Sequence, residues 1–163
     1  MLKNIYFLFI TMIIFTGCTS KQQDYTFDVK PNTKKDASVE AVKLIGQLQS
    51  RKDTTHITVT LKKGRYDFYP DSAFVREYFI SNHDQDNPKK VAFAFENMKN
   101  ITIDGQGSEF IFHGRMIPIS LLNAENITLK NFSIDFEVPA LRQLKVLEVN
   151  EKDEEILAEI YPT

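Results

Sequence analysis

Asn97-Met98-Lys99-Asn100-Ile101-Thr102-Ile103 returns 26 residues later as Asn123-Ala124-Glu125-Asn126-Ile127-Thr128-Leu129. At the same offset Phe93-Ala94-Phe95 aligns with Ile119-Ser120-Leu121, an apolar-small-apolar alternation in both copies. A repeat of this length, built from short strand-like runs and turns with no helix inside it, suggests one coil of a parallel β-helix. Successive coils of such a fold stack their strands about 4.8 Å apart. The pattern therefore predicts Ile101 beneath Ile127 and Ile103 beneath Leu129 in the interior. It predicts Asn100 beneath Asn126 at a corner, where side-chain amides bond along the stack and the backbone turns. Asp104-Gly105-Gln106-Gly107 is expected to make a tight turn with unusual dihedrals. The competing reading of the same repeat is a β-sandwich with similar hairpins.

Upstream, one segment is helical. Ala37, Ala41, Leu44, Ile45 and Leu48 recur at helical spacing and form one apolar face. Asp36 or Ser38 is expected to cap it, Glu40 suits the first turn, and Arg51-Lys52 suits the C-terminal end. An amphipathic helix ahead of stacked coils would cap their open apolar end and unpaired backbone edge. Ile57 to Leu61 and Arg65 to Tyr69 then read as strands around a turn at Lys63-Gly64. Downstream, residues 141–161 alternate on either side of Asn150-Glu151-Lys152-Asp153, the pattern of an antiparallel hairpin and not of another coil.

The N-terminus carries a different message. One early cation, Lys3, precedes an apolar run from Ile5 to Phe15 that only Thr11 interrupts. This is the layout of a secretory signal, and it is shorter than the roughly 20 residues a spanning helix needs. Phe15-Thr16-Gly17-Cys18 resembles the lipobox of bacterial lipoproteins, with Phe15 where leucine is usual. The expectation is cleavage before Cys18, a lipid on its thiol, and attachment to a membrane of the bacterial cell envelope. Cys18 is the only cysteine among 163 residues, which rules out a disulfide within the chain. A formal charge of −2 gives no reason to expect a nucleic-acid partner. The expected organisation is a signal peptide at 1–17, a lipidated tether at 18–35, coils at 36–140 and the hairpin at 141–163.

Three further stretches go beyond a generic coil pattern. They are Tyr78-Phe79-Ile80-Ser81-Asn82-His83-Asp84, Asn100-Ile101-Thr102-Ile103-Asp104-Gly105-Gln106-Gly107-Ser108 and Phe110-Ile111-Phe112-His113-Gly114-Arg115-Met116-Ile117-Pro118. With Asn131-Phe132-Ser133-Ile134-Asp135 they closely resemble the N-terminal part of the alpha-1,3-galactosidases of glycoside hydrolase family 110. The resemblance covers roughly residues 36–161. It implies an all-β, pectin-lyase-like fold: a right-handed parallel β-helix with an N-terminal capping helix, interrupted by β-barrel insertions. The hairpin would then open the first insertion. The implied activity is inverting hydrolysis of terminal alpha-1,3-linked galactose on a glycan, as on blood-group-B-type structures. Family members are several times longer, and the resemblance puts their catalytic carboxylates in later coils, beyond Thr163. No catalytic position carries over to this chain.

The remaining candidates are substrate contacts. His83 and Asp84 occupy a polar stretch and can bond sugar hydroxyls, or simply be solvated in a loop. His113-Gly114-Arg115 follows an apolar strand; Arg115 can hold a hydroxyl or pair across coils, for example with Asp135. Asp135 and Glu137 flank Phe136 and so share a strand face, as an acid–base pair or as two solvated acids. His56, His83 and His113 lack the close spacing of metal ligands, so neither a metal nor a cofactor is expected. Polysaccharide lyase and a non-catalytic, carbohydrate-binding β-helix remain as alternative readings.

Overall fold

The computed structural model describes residues 25–81, 86–139 and 143–161. Among them are one α-helix, α1 (Ser38–Gln49), a short 3-10 turn (Pro70–Ser72) and nine strands. The strands are β1 (Ile57–Thr60), β2 (Arg65–Phe68), β3 (Phe74–Arg76), β4 (Lys89–Glu96), β5 (Lys99–Phe112), β6 (Ile117–Leu122), β7 (Glu125–Phe136), β8 (Gln143–Asn150) and β9 (Glu155–Tyr161). The class is all-β with a single helix. The segment expected as a signal peptide, residues 1–17, together with Cys18, His83 and Asp84, lies outside the described residues.

The repeat becomes two parallel pairings in one register. Ile101 pairs with Ile127 and Ile103 with Leu129 where β5 meets β7. Phe93 pairs with Ile119 and Phe95 with Leu121 where β4 meets β6. Below them, β1 and β2 both lie parallel to β5, so that one long strand spans two short ones. This makes three rungs of one sheet, with β5 in the middle. A second sheet runs β3-β4-β6, in which β3 is antiparallel to β4.

Alternation along the rungs turns Tyr66, Phe68, Phe110 and Phe112 inward, where each is at most 1% exposed. Phe68, Phe112 and Phe136 occupy one column, the first two rings stacked at 4.8 Å. Burying each such ring contributes roughly 1.5–3 kcal/mol. α1 lays its predicted apolar face, Ala41, Leu44, Ile45 and Leu48, into the same core and packs on β4.

The corners follow from asparagine. Asn97, Asn100, Asn123, Asn126 and Asn131 all hold φ between 50° and 60°, left-handed backbone that asparagine tolerates better than other side chains. The Asp104–Ser108 stretch does not break β5. It shifts the pairing, because β7 crosses the same corner with two fewer residues. Gln106 (φ 54°) and Gly107 (φ 79°) take up the excess.

Two local features refine the sequence reading. The helix begins at Ser38 with Ala37 at the N-cap position, and no side chain caps from there. Asp36, one residue earlier, accepts the Ser38 N–H at 2.8 Å, while the Ser38 hydroxyl turns away to Tyr69. Residues 25–35, expected as part of a tether, are docked on the rungs. Phe27 is buried with its ring edge-on to Tyr66 at 5.5 Å, and Asn32 exchanges hydrogen bonds with Arg65.

β8 and β9 form a separate antiparallel ribbon. A bulge at Leu147 resets the alternation so that Leu144, Val146 and Val149 pair with Ile160, Ala158 and Ile156. Directly paired residues point to the same side, so one face of this ribbon is entirely apolar.

Candidate functional site

The outer face of the three-rung sheet gathers most of the chemistry. Because Tyr66 and Phe68 point inward, Arg65 and Asp67 point outward from β2. His113 follows the end of β5 and Glu137 the end of β7, each continuing the parallel backbone bonding by one residue, to Phe68 O and Phe112 O. Four side chains from three rungs thereby meet.

Asp67 is the centre of this group and is 2% exposed. Its Oδ1 accepts from Arg65 Nη2 at 2.7 Å and from His113 Nε2 at 2.8 Å. Arg65 Nη2 also reaches Glu137 Oε2 at 2.9 Å. The His113 ring lies flat on Tyr69, with centroids 4.1 Å apart and planes 9° from parallel. Burial alone would raise the Asp67 carboxyl; the hydrogen bonds from Arg65 and His113 outweigh it and hold the carboxyl below the usual carboxylate range. An ionised Asp67 requires His113 to donate from Nε2, which fixes the ring's tautomer and its plane. The Arg65 guanidinium is shifted further up by Asp67 and Glu137.

A second carboxylate is held the same way on the other sheet. Glu96, at the end of β4, accepts from Arg76 Nε at 2.9 Å and from the Tyr78 hydroxyl. Tyr78 in turn meets Ser120 Oγ at 3.2 Å, and the Arg76 guanidinium lies 4.7 Å from the Phe74 ring centroid. Burial pushes Glu96 up, and Arg76 and Tyr78 more than reverse it, leaving the carboxyl below its ordinary value. Tyr78 is raised by burial and by its hydrogen bond to Glu96.

A glycosidase acid must keep its proton until the leaving oxygen needs it, so its pKa must be raised. Asp67 and Glu96 are both lowered. These two carboxylates order side chains across rungs; they are not poised to donate protons.

His83 and Asp84 lie outside the described residues, and Arg115 and Asp135 have different partners. Arg115 donates to Asp86 at the mouth of a cleft of about 200 Å³ bordered by Lys89, Lys90 and Met116. Asp135, one example of a cross-coil partner for Arg115, stands on β7, whereas Arg115 belongs to the segment between β5 and β6. Asp135 Oδ1 accepts the N–H of Phe136 at 2.8 Å. Glu137 is engaged by Arg65, so the Asp135–Glu137 pair is not an isolated couple of acids. His56 bonds Thr102 Oγ1 at 2.8 Å. Among the described residues no group of three or more His, Cys, Asp or Glu is arranged to hold a metal.

His113 is legible in the sequence as a candidate; its partner Asp67 is not. The available signal is an acid placed between two core aromatics, Tyr66-Asp67-Phe68, where the outward face of a strand would normally be solvated.

No family model matches the chain. An alpha-1,3-galactosidase B of Phocaeicola vulgatus is 46% identical over 156 residues, covering 93% of this chain and 26% of that protein. One of Bacteroides fragilis is 55% identical over 123 residues, 75% of this chain and 21% of the relative. One of Parabacteroides distasonis is 62% identical over 106 residues, 65% of this chain and 17% of the relative. An all-β chain of stacked parallel rungs with these relatives is a homologue of glycoside hydrolases. More particularly, it corresponds to an N-terminal portion of an alpha-1,3-galactosidase of the family 110 type. The chain spans about a quarter or less of the length of these curated relatives.

Proposed function

We propose that this chain forms the first coils of an exported alpha-1,3-galactosidase that removes terminal alpha-1,3-linked galactose from glycans with inversion. The observation that carries the proposal is the 46% identity to an alpha-1,3-galactosidase B over 93% of the chain. In this reading the parallel rungs are turns of a right-handed β-helix, α1 caps its first turn, and the β8–β9 ribbon opens a barrel insertion. The acid and base act from coils C-terminal to Thr163. The Asp67 and Glu96 networks serve to hold successive coils in register. Cys18 carries the lipid that keeps the enzyme on the cell envelope.

The test is a galactose-release assay on an alpha-1,3-linked galactoside. It compares this chain alone with a chimera in which it replaces the matched 156 residues of the Phocaeicola vulgatus relative. The chimera is expected to release galactose, and the chain alone none. Turnover by the chain alone would move the chemistry into these coils. A folded chimera without turnover would favour the non-catalytic reading. Fatty-acid labelling that survives Cys18→Ser would refute the lipid site.

A further inference from the structure

The cleft of about 200 Å³ beside Arg115 opens at the start of β4 and β6, and its lining shares no residue with either carboxylate network. The strand register explains its charge. Val91 pairs with Ile117, and two residues before each stand Lys89 and Arg115. Two cations thereby take equivalent places on neighbouring rungs, with Lys90 next in the chain. Like charges set opposite one another across strands destabilise a sheet, and an anion between them reverses that cost. Asp86 is the only acid among the described residues that line the cleft, against the three cations Lys89, Lys90 and Arg115.

The Asp86–Arg115 pair lies at the surface, its two side chains 77% and 75% exposed. Such pairs contribute little, so a better-placed anion can compete with Asp86 for the guanidinium. Lys89 differs in being 8% exposed although charged. A cation in so desolvated a place draws an anion more strongly than one in open water. The attraction does not require a bare cation. A guanidinium and two ammonium groups each carry several N–H donors and can hold an added anion alongside partners in the chain. Pro88 and Met116 supply apolar wall beside these charges. Clefts for drug-sized ligands run to about 300–1,000 Å³, so this smaller one suits a single sugar ring.

We propose that this cleft is a subsite for one sugar residue carrying an acidic group, a carboxylate or a sulfate ester. Lys89, Lys90 and Arg115 take the acidic group, and Pro88 and Met116 face the C–H side of the ring. The Arg115 fork can meet two oxygens of the acidic group side by side. The sugar rests on the galactosidase reading; the acidic group rests on the charge of the cleft. For that reading the subsite names a substrate class, glycans that bear acidic substituents.

The test titrates the isotope-labelled chain with galacturonate, sulfated galactose, galactose and inorganic sulfate, and follows the backbone amides by NMR. The amides of Lys89, Lys90, Arg115 and Met116 are expected to shift with at least one acidic sugar, bound about tenfold more tightly than galactose. A response to galacturonate alone identifies the carboxylate, and a response to sulfated galactose alone identifies the sulfate ester. Arg115→Gln, at an exposed position, should weaken the acidic sugar about tenfold with little change in thermal midpoint and leave galactose unaffected. Equal affinity for galactose and the acidic sugars would overturn the charge recognition. Inorganic sulfate bound as tightly as the acidic sugars would overturn the sugar. No shift at these four amides, or an acidic-sugar affinity untouched by both Arg115→Gln and Lys90→Gln, would overturn the subsite itself. The titration needs no turnover, which separates it from the galactosidase reading. Shifts in the chain together with a folded Phocaeicola vulgatus chimera that releases no galactose would sink that reading and keep the acidic-sugar site. Turnover by the chimera without shifts would do the reverse.

Discussion

Asn126 stands one rung above Asn100 and donates its Nδ2 to Asn100 Oδ1 at 2.8 Å, both residues holding left-handed backbone near φ 55°. The side chain thus serves twice: it tolerates the dihedral that turns the corner, and it bonds along the stack. Replacing Asn100 by Ala removes two side-chain bonds and the side chain that tolerates left-handed backbone better than alanine does, an expected loss of about 2 kcal/mol in urea unfolding. Asn100→Gly relieves the backbone term and should lose less. Equal losses for the two would mean that the dihedral carries no weight at this corner.

Gly105 tests the close approach of two rungs. A Cβ built there would lie 2.7 Å from Phe132 Cβ and 2.8 Å from Asn131 O. Gly105→Ala is expected to cost about 1–3 kcal/mol by forcing β5 and β7 apart. Gly46, inside α1, has open space around it, and Gly46→Ala should instead stabilise by up to about 1 kcal/mol. Calorimetry on the two variants should give midpoint shifts of opposite sign.

Acid stability should report Asp67. Its folded pKa is lowered, so its contribution is complete above the unfolded carboxyl value near 4 and is lost as pH falls through the lower folded value. Asp67→Asn is expected to cost about 2 kcal/mol at neutral pH and to flatten the acid limb of the stability profile. An unchanged acid limb would show that the ionised carboxylate contributes nothing to the join between rungs.

Ser38 ties the helix to the rungs. Its buried hydroxyl donates to Tyr69 O at 2.8 Å and accepts the Tyr69 N–H at 3.0 Å. Ser38→Ala leaves both backbone groups without that partner, an expected loss of about 1–3 kcal/mol. Exchange of the Tyr69 amide should accelerate in step.

The residues that encode the fold differ in how openly they show it. The 26-residue offset is visible because Asn100/Asn126, Ile101/Ile127 and Ile103/Leu129 keep both polarity and spacing across rungs. The helix is visible because its buried face recurs every three or four residues. The two-residue difference at Asp104–Ser108 is not, since a register shift is a property of two strands and each alone reads as continuous. Likewise the Arg65–Asp67–His113–Glu137 group joins residues up to 72 apart, and no local pattern announces such a meeting. Arg115 is visible as a charged residue after a strand end, yet it donates to Asp86, which chain spacing does not single out.

The proposal that these coils begin an inverting alpha-1,3-galactosidase carries a stereochemical consequence. Proton NMR of the sugar freshly released by the chimera from an alpha-1,3-linked galactoside reads it. β-Galactose is expected to appear first and then to mutarotate toward the equilibrium mixture. Initial release of α-galactose, or no release by a folded chimera, would contradict the proposal.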